Sequence, residues 1–356
     1  MSNRKPLGLS LAVLAAAAFL LADVAPARAA GLSTGEIKCA ASLGKAASKL
    51  AKTIAKEYGK CRDGDISGKA PGSCPTAKNL AKIDKMKAKL EKAVDKSCGS
   101  VCSLSNSIPC LTEFMCPPRG TGAHEKCSGA GGTNPFDMTR LGFPGPFCER
   151  VLGHAIREKA DFATCGNTLT EETTLQLVDV IYGSLDNSSG ISSTAAKCLS
   201  SLSKATQKLV ATIHKGVVKC RDGINKGKVV ADPARCTRDD VKLAAKIAKM
   251  EQKLRDTASK KCTDPDILEL DLCGTVAAPT TTTEAADCLI AAANEIADSN
   301  LPASSRQYAP RSLVEATYPP PRGVCGDGVV NQLPNPFALL GEECDGADDA
   351  ACPGQC

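Results

Sequence analysis

Two stretches of the chain carry one cysteine frame. Residues 38–64 and 197–223 align without a gap, and sixteen of the twenty-seven positions are identical. Both open on Lys-Cys and close on Lys-Cys-Arg-Asp-Gly. Two further cysteines follow each at similar spacing, giving Cys39, Cys61, Cys74, Cys98 and Cys198, Cys220, Cys236, Cys262. A self-similar frame of this kind fixes a fold unit together with its covalent cross-links.

The first unit reads as two helices. Ser33 and Glu36 have capping-box spacing, and Gly64 suggests a stop. Between them Leu43, Ala47, Leu50, Ile54, Tyr58 and Cys61 recur at helical intervals. A second helix is expected after Pro71-Gly72, with Leu80, Ile83, Met86, Leu90 and Val94 as its apolar stripe. Ile247, Met250 and Leu254 keep the same register before Cys262. Geometry then selects the pairing. Cys39 and Cys61 stand about 33 Å apart along one helix, far beyond the reach of a cystine. An antiparallel hairpin brings Cys61 to Cys74 beside the turn and Cys39 to Cys98 at the open end. The same construction joins Cys220 to Cys236 and Cys198 to Cys262.

The fold class expected is therefore mainly α: two disulfide-stapled antiparallel hairpins, at 33–98 and 197–262, with irregular cysteine-rich segments. Between them, 99–196 is a Gly/Pro-containing segment holding Cys102, Cys110, Cys116, Cys127, Cys148 and Cys165. Short helices are expected from Cys148 to Cys165 and around Leu175 to Tyr182, and the six cysteines allow fifteen connectivities. Residues 263–300 read as a short helical extension, with Cys273 and Cys288 as the simplest pair. Residues 301–323, ending in Pro319-Pro320-Pro321, read as an extended linker before a small module at 324–356. Trp is absent and aromatic residues make up 3% of the chain, which suggests several small cystine-held units in place of one large core.

Arg4 and Lys5 precede an apolar run from Leu7 to Leu21, and Ala27-Arg28-Ala29 has the small residues of a cleavage site, so 1–29 reads as a signal peptide. All twenty cysteines follow it. An even number of cysteines at recurring spacing outside the cytoplasm implies disulfides. No later segment is long and apolar enough to span a bilayer. The expected location is extracellular, at the cell surface or periplasmic.

The C-terminal run Cys325-Gly-Asp-Gly, then Gly341-Glu-Glu-Cys344-Asp-Gly, then Cys352 and Cys356, resembles a short cysteine-rich repeat at the ends of exported proteins of myxobacteria and their relatives. The match covers less than a tenth of the chain and departs from the pattern in the insert Gln332 to Leu340. It implies an extracellular or surface module without catalytic activity. The Lys-Cys-Arg-Asp-Gly hairpins likewise resemble Cys/Lys-rich repeats of exported bacterial proteins of unassigned function. Oxygen-bearing residues gather in this module, and Asp327, Glu343 and Asp345 are the weak calcium candidates. EF-hand spacing is absent, and a solvated acidic tail is the simpler reading.

Charge is sharply segregated. Residues 38–98 hold fifteen Lys/Arg against six Asp/Glu, residues 197–262 seventeen against six, and residues 263–356 three against fifteen. Lys78, Lys82, Lys85, Lys89, Lys92 and Lys96 share one helix face, as do Lys45, Lys49, Lys52, Lys56 and Lys60. A solvated amphipathic face explains such a stripe; so does capture of an acidic polymer. No specific nucleic-acid signal accompanies it, since Tyr58 is the sole aromatic of the hairpins.

No nucleophile elbow, zinc-protease helix, phosphate loop or haem-attachment motif occurs, and no cofactor is indicated. The nearest to a catalytic set is His124, Glu125, Asp137, His154, Glu158 and Asp161, in which His154 and Glu158 are four residues apart. His214, between basic residues, reads as surface. The expectation is a non-enzymatic structural or binding protein of the cell envelope or extracellular space. The alternatives are an electrostatic binder of an acidic polymer, and a secreted hydrolase built on 99–165. No partner follows from the sequence; an acidic cell-surface polymer or another exported protein would suit these charges.

Overall fold

A computed structural model describes residues 34–98, 145–154, 159–229, 235–274, 278–299 and 305–318, and every regular element among them is a helix. α1 (Thr34–Ile66) and α5 (Ser193–Asn225) are thirty-three residues each, about 50 Å of helix. α2 (Ala77–Ser97) and α7 (Val241–Lys261) are twenty-one residues each. α1 runs through Gly64, the expected stop. The reversal comes at Gly68, whose φ of 67° only glycine adopts freely, and Gly227 at 65° plays the same part beyond α5. Ser33 lies outside the described residues. α2 opens on a capping box between Thr76 and Asn79, and α7 on the Asp240 side chain.

Each pair folds back on itself, and cystines close both ends. Cys39 joins Cys98, Cys61 joins Cys74, Cys198 joins Cys262 and Cys220 joins Cys236, with Cα atoms 4.6, 5.7, 4.9 and 6.0 Å apart. Inside the hairpins Leu43, Leu50 and Ile54 pack with Ile83, Leu90 and Val94, while Leu199, Leu209 and Ile213 pack near Leu254. Leu80, expected in the stripe of α2, is 41% exposed. It sits in the first turn of α2, where its side chain faces water.

The segments flanking the hairpins depart most from the sequence reading. After α3 (Gly145–Leu152), residues 159–182 form a single helix, α4 (Lys159–Tyr182), which packs across α1 and α2. Its buried Thr170 and Thr174 donate to the carbonyls of Gly166 and Thr170, so a Thr-rich stretch is satisfied inside a helix. The stretch from Cys148 to Cys165 is accordingly broken, and a disulfide between these two cysteines ties α3 to α4. In the second half a short helical turn, α6 (Cys236–Asp239), precedes α7, and α8 (Asp264–Leu268) leads into α9 (Thr282–Asp298). α9 packs across α5 and α7, as α4 does across α1 and α2, and Cys273–Cys288 ties it down. Cys165 and Cys288 are each the seventh residue of their helix. Residues 263–300 thus supply the third helix of a bundle, where an appended extension was expected.

The proposed linker is also part of the body. Residues 305–318 form a strap ending in α10 (Leu313–Thr317), with Leu313, Val314, Ala316 and Tyr318 buried against α4, α9, α1 and α5. Nor do the hairpins stand apart. α1 and α5 pack antiparallel, and Tyr58 touches both apolar clusters. Small and aliphatic residues build this core where aromatic ones are scarce: Ala285, Ala286, Ala292, Ala293 and Ala297 bring α9 close to its neighbours. Among the described residues no helix is long and apolar enough to cross a membrane, and the six disulfides suit an oxidising environment.

Candidate functional site

The seam between α1 and α5 holds a cluster of buried polar groups. Two tyrosines wedge into it from helix ends. Tyr182, closing α4, has its hydroxyl 2.8 Å from Asp63 Oδ1, 2.8 Å from Ser203 Oγ and 3.1 Å from the Gly59 carbonyl. Burial, with the nearby Asp63 charge, drives its pKa well above the usual phenol range. Tyr318, closing the strap, lies over Gly44, where any Cβ would collide with its ring and also meet Val218. The alignment of the matching stretches carries Gly44 onto Ser203 and Gly59 onto Val218, so the two tyrosines fill equivalent niches.

The arginine of each Lys-Cys-Arg-Asp-Gly run holds one wedge. Arg62 donates to the Gly183 carbonyl at 2.9 Å with its guanidinium over the Tyr182 ring, and Arg221 donates to the Tyr318 carbonyl at 2.8 Å. Arg221 also faces the buried Asp298 at 3.6 Å; burial raises the Asp298 pKa against the pull of Arg221. Each tyrosine ends a Leu-Val-acid-x-x-Tyr run, at 177–182 and 313–318. That shared run was visible in the sequence but lies outside the cysteine frame on which the alignment was built.

His214 is buried, not at the surface as its lysine neighbours suggested. Its Nδ1 lies 3.2 Å from Ser48 Oγ and its Nε2 2.7 Å from Thr317 Oγ1. Burial first, then the Arg221 charge, bring its pKa down to about 3, so the ring is neutral at pH 7. Both hydroxyls are also within bonding distance of backbone carbonyls, Gly44 for Ser48 and Leu313 for Thr317. A neutral imidazole has one N–H, so one hydroxyl must turn its proton to the ring. The arrangement joins α1, α5 and α10.

The strap is fastened by charge. Glu295 accepts from the backbone N–H groups of Gln307, Tyr308 and Ala309 at 3.1, 2.6 and 2.8 Å. Arg306 grips Glu315 with two bonds of 2.6 Å.

The outward faces are basic. Lys78, Lys82, Lys85, Lys89, Lys92 and Lys96 are all exposed on α2, as are Lys45, Lys49, Lys52, Lys56 and Lys60 on α1. Of the α2 stripe, Lys82 alone makes an ion pair among the described residues, with the buried Glu57 at 2.7 Å. Burial would raise the Glu57 pKa, but bonds from Lys82 and Asn79 and the charges of Lys82 and Lys60 hold it below the usual carboxylate range. Aligned on Cys98 and Cys262, α7 carries Lys242, Lys246, Lys249, Lys253 and Lys260 at five of the six stripe positions, with Asp256 at the sixth. Those five lysines are exposed too. This second stripe escaped the sequence reading, which tracked only apolar residues through α7.

Of the catalytic candidates, His154 lies past the end of α3 and faces Asp161 at 3.8 Å, while Glu158, His124, Glu125 and Asp137 lie outside the described residues. Asp327, Glu343 and Asp345 lie outside them as well. Among the described residues no group of three or more His, Cys, Asp or Glu is placed to hold a metal ion. A polar cleft of about 340 Å³ is lined by Arg62, Asp65, Gly72, Ser73, Cys74, Asp186 and Asn187. Its Arg62 is committed to Gly183, and its Asp65 accepts from the Gly72 N–H at 3.0 Å. Comparison with known protein families, with curated proteins and with solved structures finds no match to this chain.

Proposed function

We propose that the chain is an exported structural or binding protein of the cell envelope or extracellular space, acting by presenting rigid helical faces and without chemistry of its own. The observation that carries this reading is the cystine closure of both hairpins at both ends, which suits a fold kept outside the reducing cytoplasm. The basic and apolar N-terminal run with Ala27-Arg28-Ala29 supports export. Two measurements test it. Protein recovered outside the cytoplasm should begin at Ala30, and its hairpin cysteines should resist alkylation until reduced. An intact N-terminus on protein confined to the cytoplasm, with free hairpin thiols, would contradict the reading.

A second reading is favoured by the exposed lysines: electrostatic capture of an acidic polymer. Unpaired cations along a stiff rod create a positive potential that salt screens. Retention on a heparin-type resin that collapses with moderate salt, and weakens when stripe lysines become glutamine, is the expected result. Passage through the resin at low salt would remove this reading and leave the structural one.

A further inference from the structure

Exposed lysines recur between the two halves, on α1 and α5 (Lys45 with Lys204, Lys49 with Lys208, Lys56 with Lys215, Lys60 with Lys219) and on α2 and α7. α2 and α7, aligned on Cys98 and Cys262, agree at nine of twenty-one positions. Packing accounts for three of these, Ile83 with Ile247, Met86 with Met250, and Leu90 with Leu254, and Ala81 with Ala245 is a fourth. The other five are the exposed lysines. Exposed helix positions tolerate most substitutions, so folding gives no reason for lysine to stand at the same five places twice.

Resting on the polymer-capture reading, we propose that α2 and α7 are two separate, equivalent sites for an extended acidic polysaccharide, so that one molecule joins two polymer strands. The spacing selects the ligand class. The α2 stripe lysines recur at alternating steps of four and three residues, about 4.5–6 Å along the helix axis, and α7 keeps these steps from Lys242 to Lys253. A chain of sugar acids carries one carboxylate per ring at a comparable pitch. Duplex DNA is far denser, with a charge every ~1.7 Å of axis. Single strands need stacking aromatics, and α1, α2, α5 and α7 offer only the half-buried Tyr58. The two stripes do not merge into one site, because α2 and α7 share no contact: each is joined to the other half through α1, α5 and the third helices. Cystines at both ends of each hairpin hold the stripes on a fixed frame.

The test uses the full oxidised chain, a galacturonate hexamer and long polygalacturonate, at low salt. Calorimetry should count two hexamers per chain. The α2 variant Lys85→Gln/Lys89→Gln/Lys92→Gln and the α7 variant Lys246→Gln/Lys249→Gln/Lys253→Gln should each count one, and the combination none, with unchanged helical circular dichroism. Long polymer should turn turbid with the parent protein near charge equivalence, and stay clear with either triple variant although binding persists. One hexamer per parent chain, or turbidity unaffected by a triple variant, overturns the two-site proposal while polymer capture stands. Tighter binding to duplex DNA than to polygalacturonate overturns the ligand class. No heat with hexamer and no retention on heparin-type resin overturns the capture reading beneath it.

Discussion

Acid should weaken the fold through His214, a ring that the folded protein keeps from taking a proton. The ring is fully enclosed, with Ser48 and Thr317 on its two nitrogens and the Arg221 cation nearby, itself opposite Asp298. Its folded pKa of about 3 lies below the ordinary value of 6.5. Above 6.5 the ring is neutral in folded and unfolded chains alike, so it adds no pH dependence. Below 6.5 the unfolded ring takes a proton that the folded one refuses, and stability falls as pH falls until about pH 3. The slope is about 1.4 kcal/mol per pH unit, which amounts to about 3 kcal/mol by pH 4. Urea unfolding of the disulfide-intact protein at pH 7 and pH 4, beside His214→Gln, isolates this contribution, because the other titrating groups are common to both chains. The variant should be the less stable at pH 7 and should close or reverse that gap by pH 4. Parallel pH profiles for the two proteins would refute the reasoning, since they would mean that the ring titrates alike folded and unfolded.

Glu295→Ala removes the acceptor of three backbone N–H groups and should cost about 3 kcal/mol or more, with faster tryptic cleavage after Arg306 and Arg311; an unchanged cleavage rate would count against the strap being held there. Gly44→Val drives a branched side chain into the Tyr318 ring, so it should raise amide exchange in 313–318 while leaving α2 protected. Replacing Cys39 and Cys98 together by serine opens the longer loop of the first hairpin and should lower stability by about 4 kcal/mol, against about 3 kcal/mol for Cys61 and Cys74; equal losses would argue against a chain-entropy origin.

What sequence could reveal here follows physical range. The hairpins were legible because their signals are local: helical periodicity in Leu43 to Ile54, capping residues, and two cysteines too far apart on one rod to bond each other. The third helices were harder to read. α4 carries Gly166, Asn167 and several threonines, which suggest breaks until the bonds of Thr170 and Thr174 to backbone carbonyls are seen. The strap looked like a linker because 301–323 holds five prolines, three of them in a run near its end, while Glu295, the residue that captures it, lies on another element. His214 was misplaced for a similar reason. Lysines flank it in sequence, but a helix turns by about 100° at each step, and the side that holds His214 is the one pressed against Ser48. On the lysine faces, the first stripe followed from spacing alone; the second required the register that the disulfides impose.

Of the described residues, synthesis delivers α1 first and Tyr318 last, yet the niche over Gly44 stays open until that tyrosine arrives. A nascent chain that has already completed its first hairpin therefore still lacks a piece of its own wall, to be supplied from near the far end of the described body. Shortened products ending before Leu313 would keep the six cystines seen among the described residues and yet expose a fresh apolar gap.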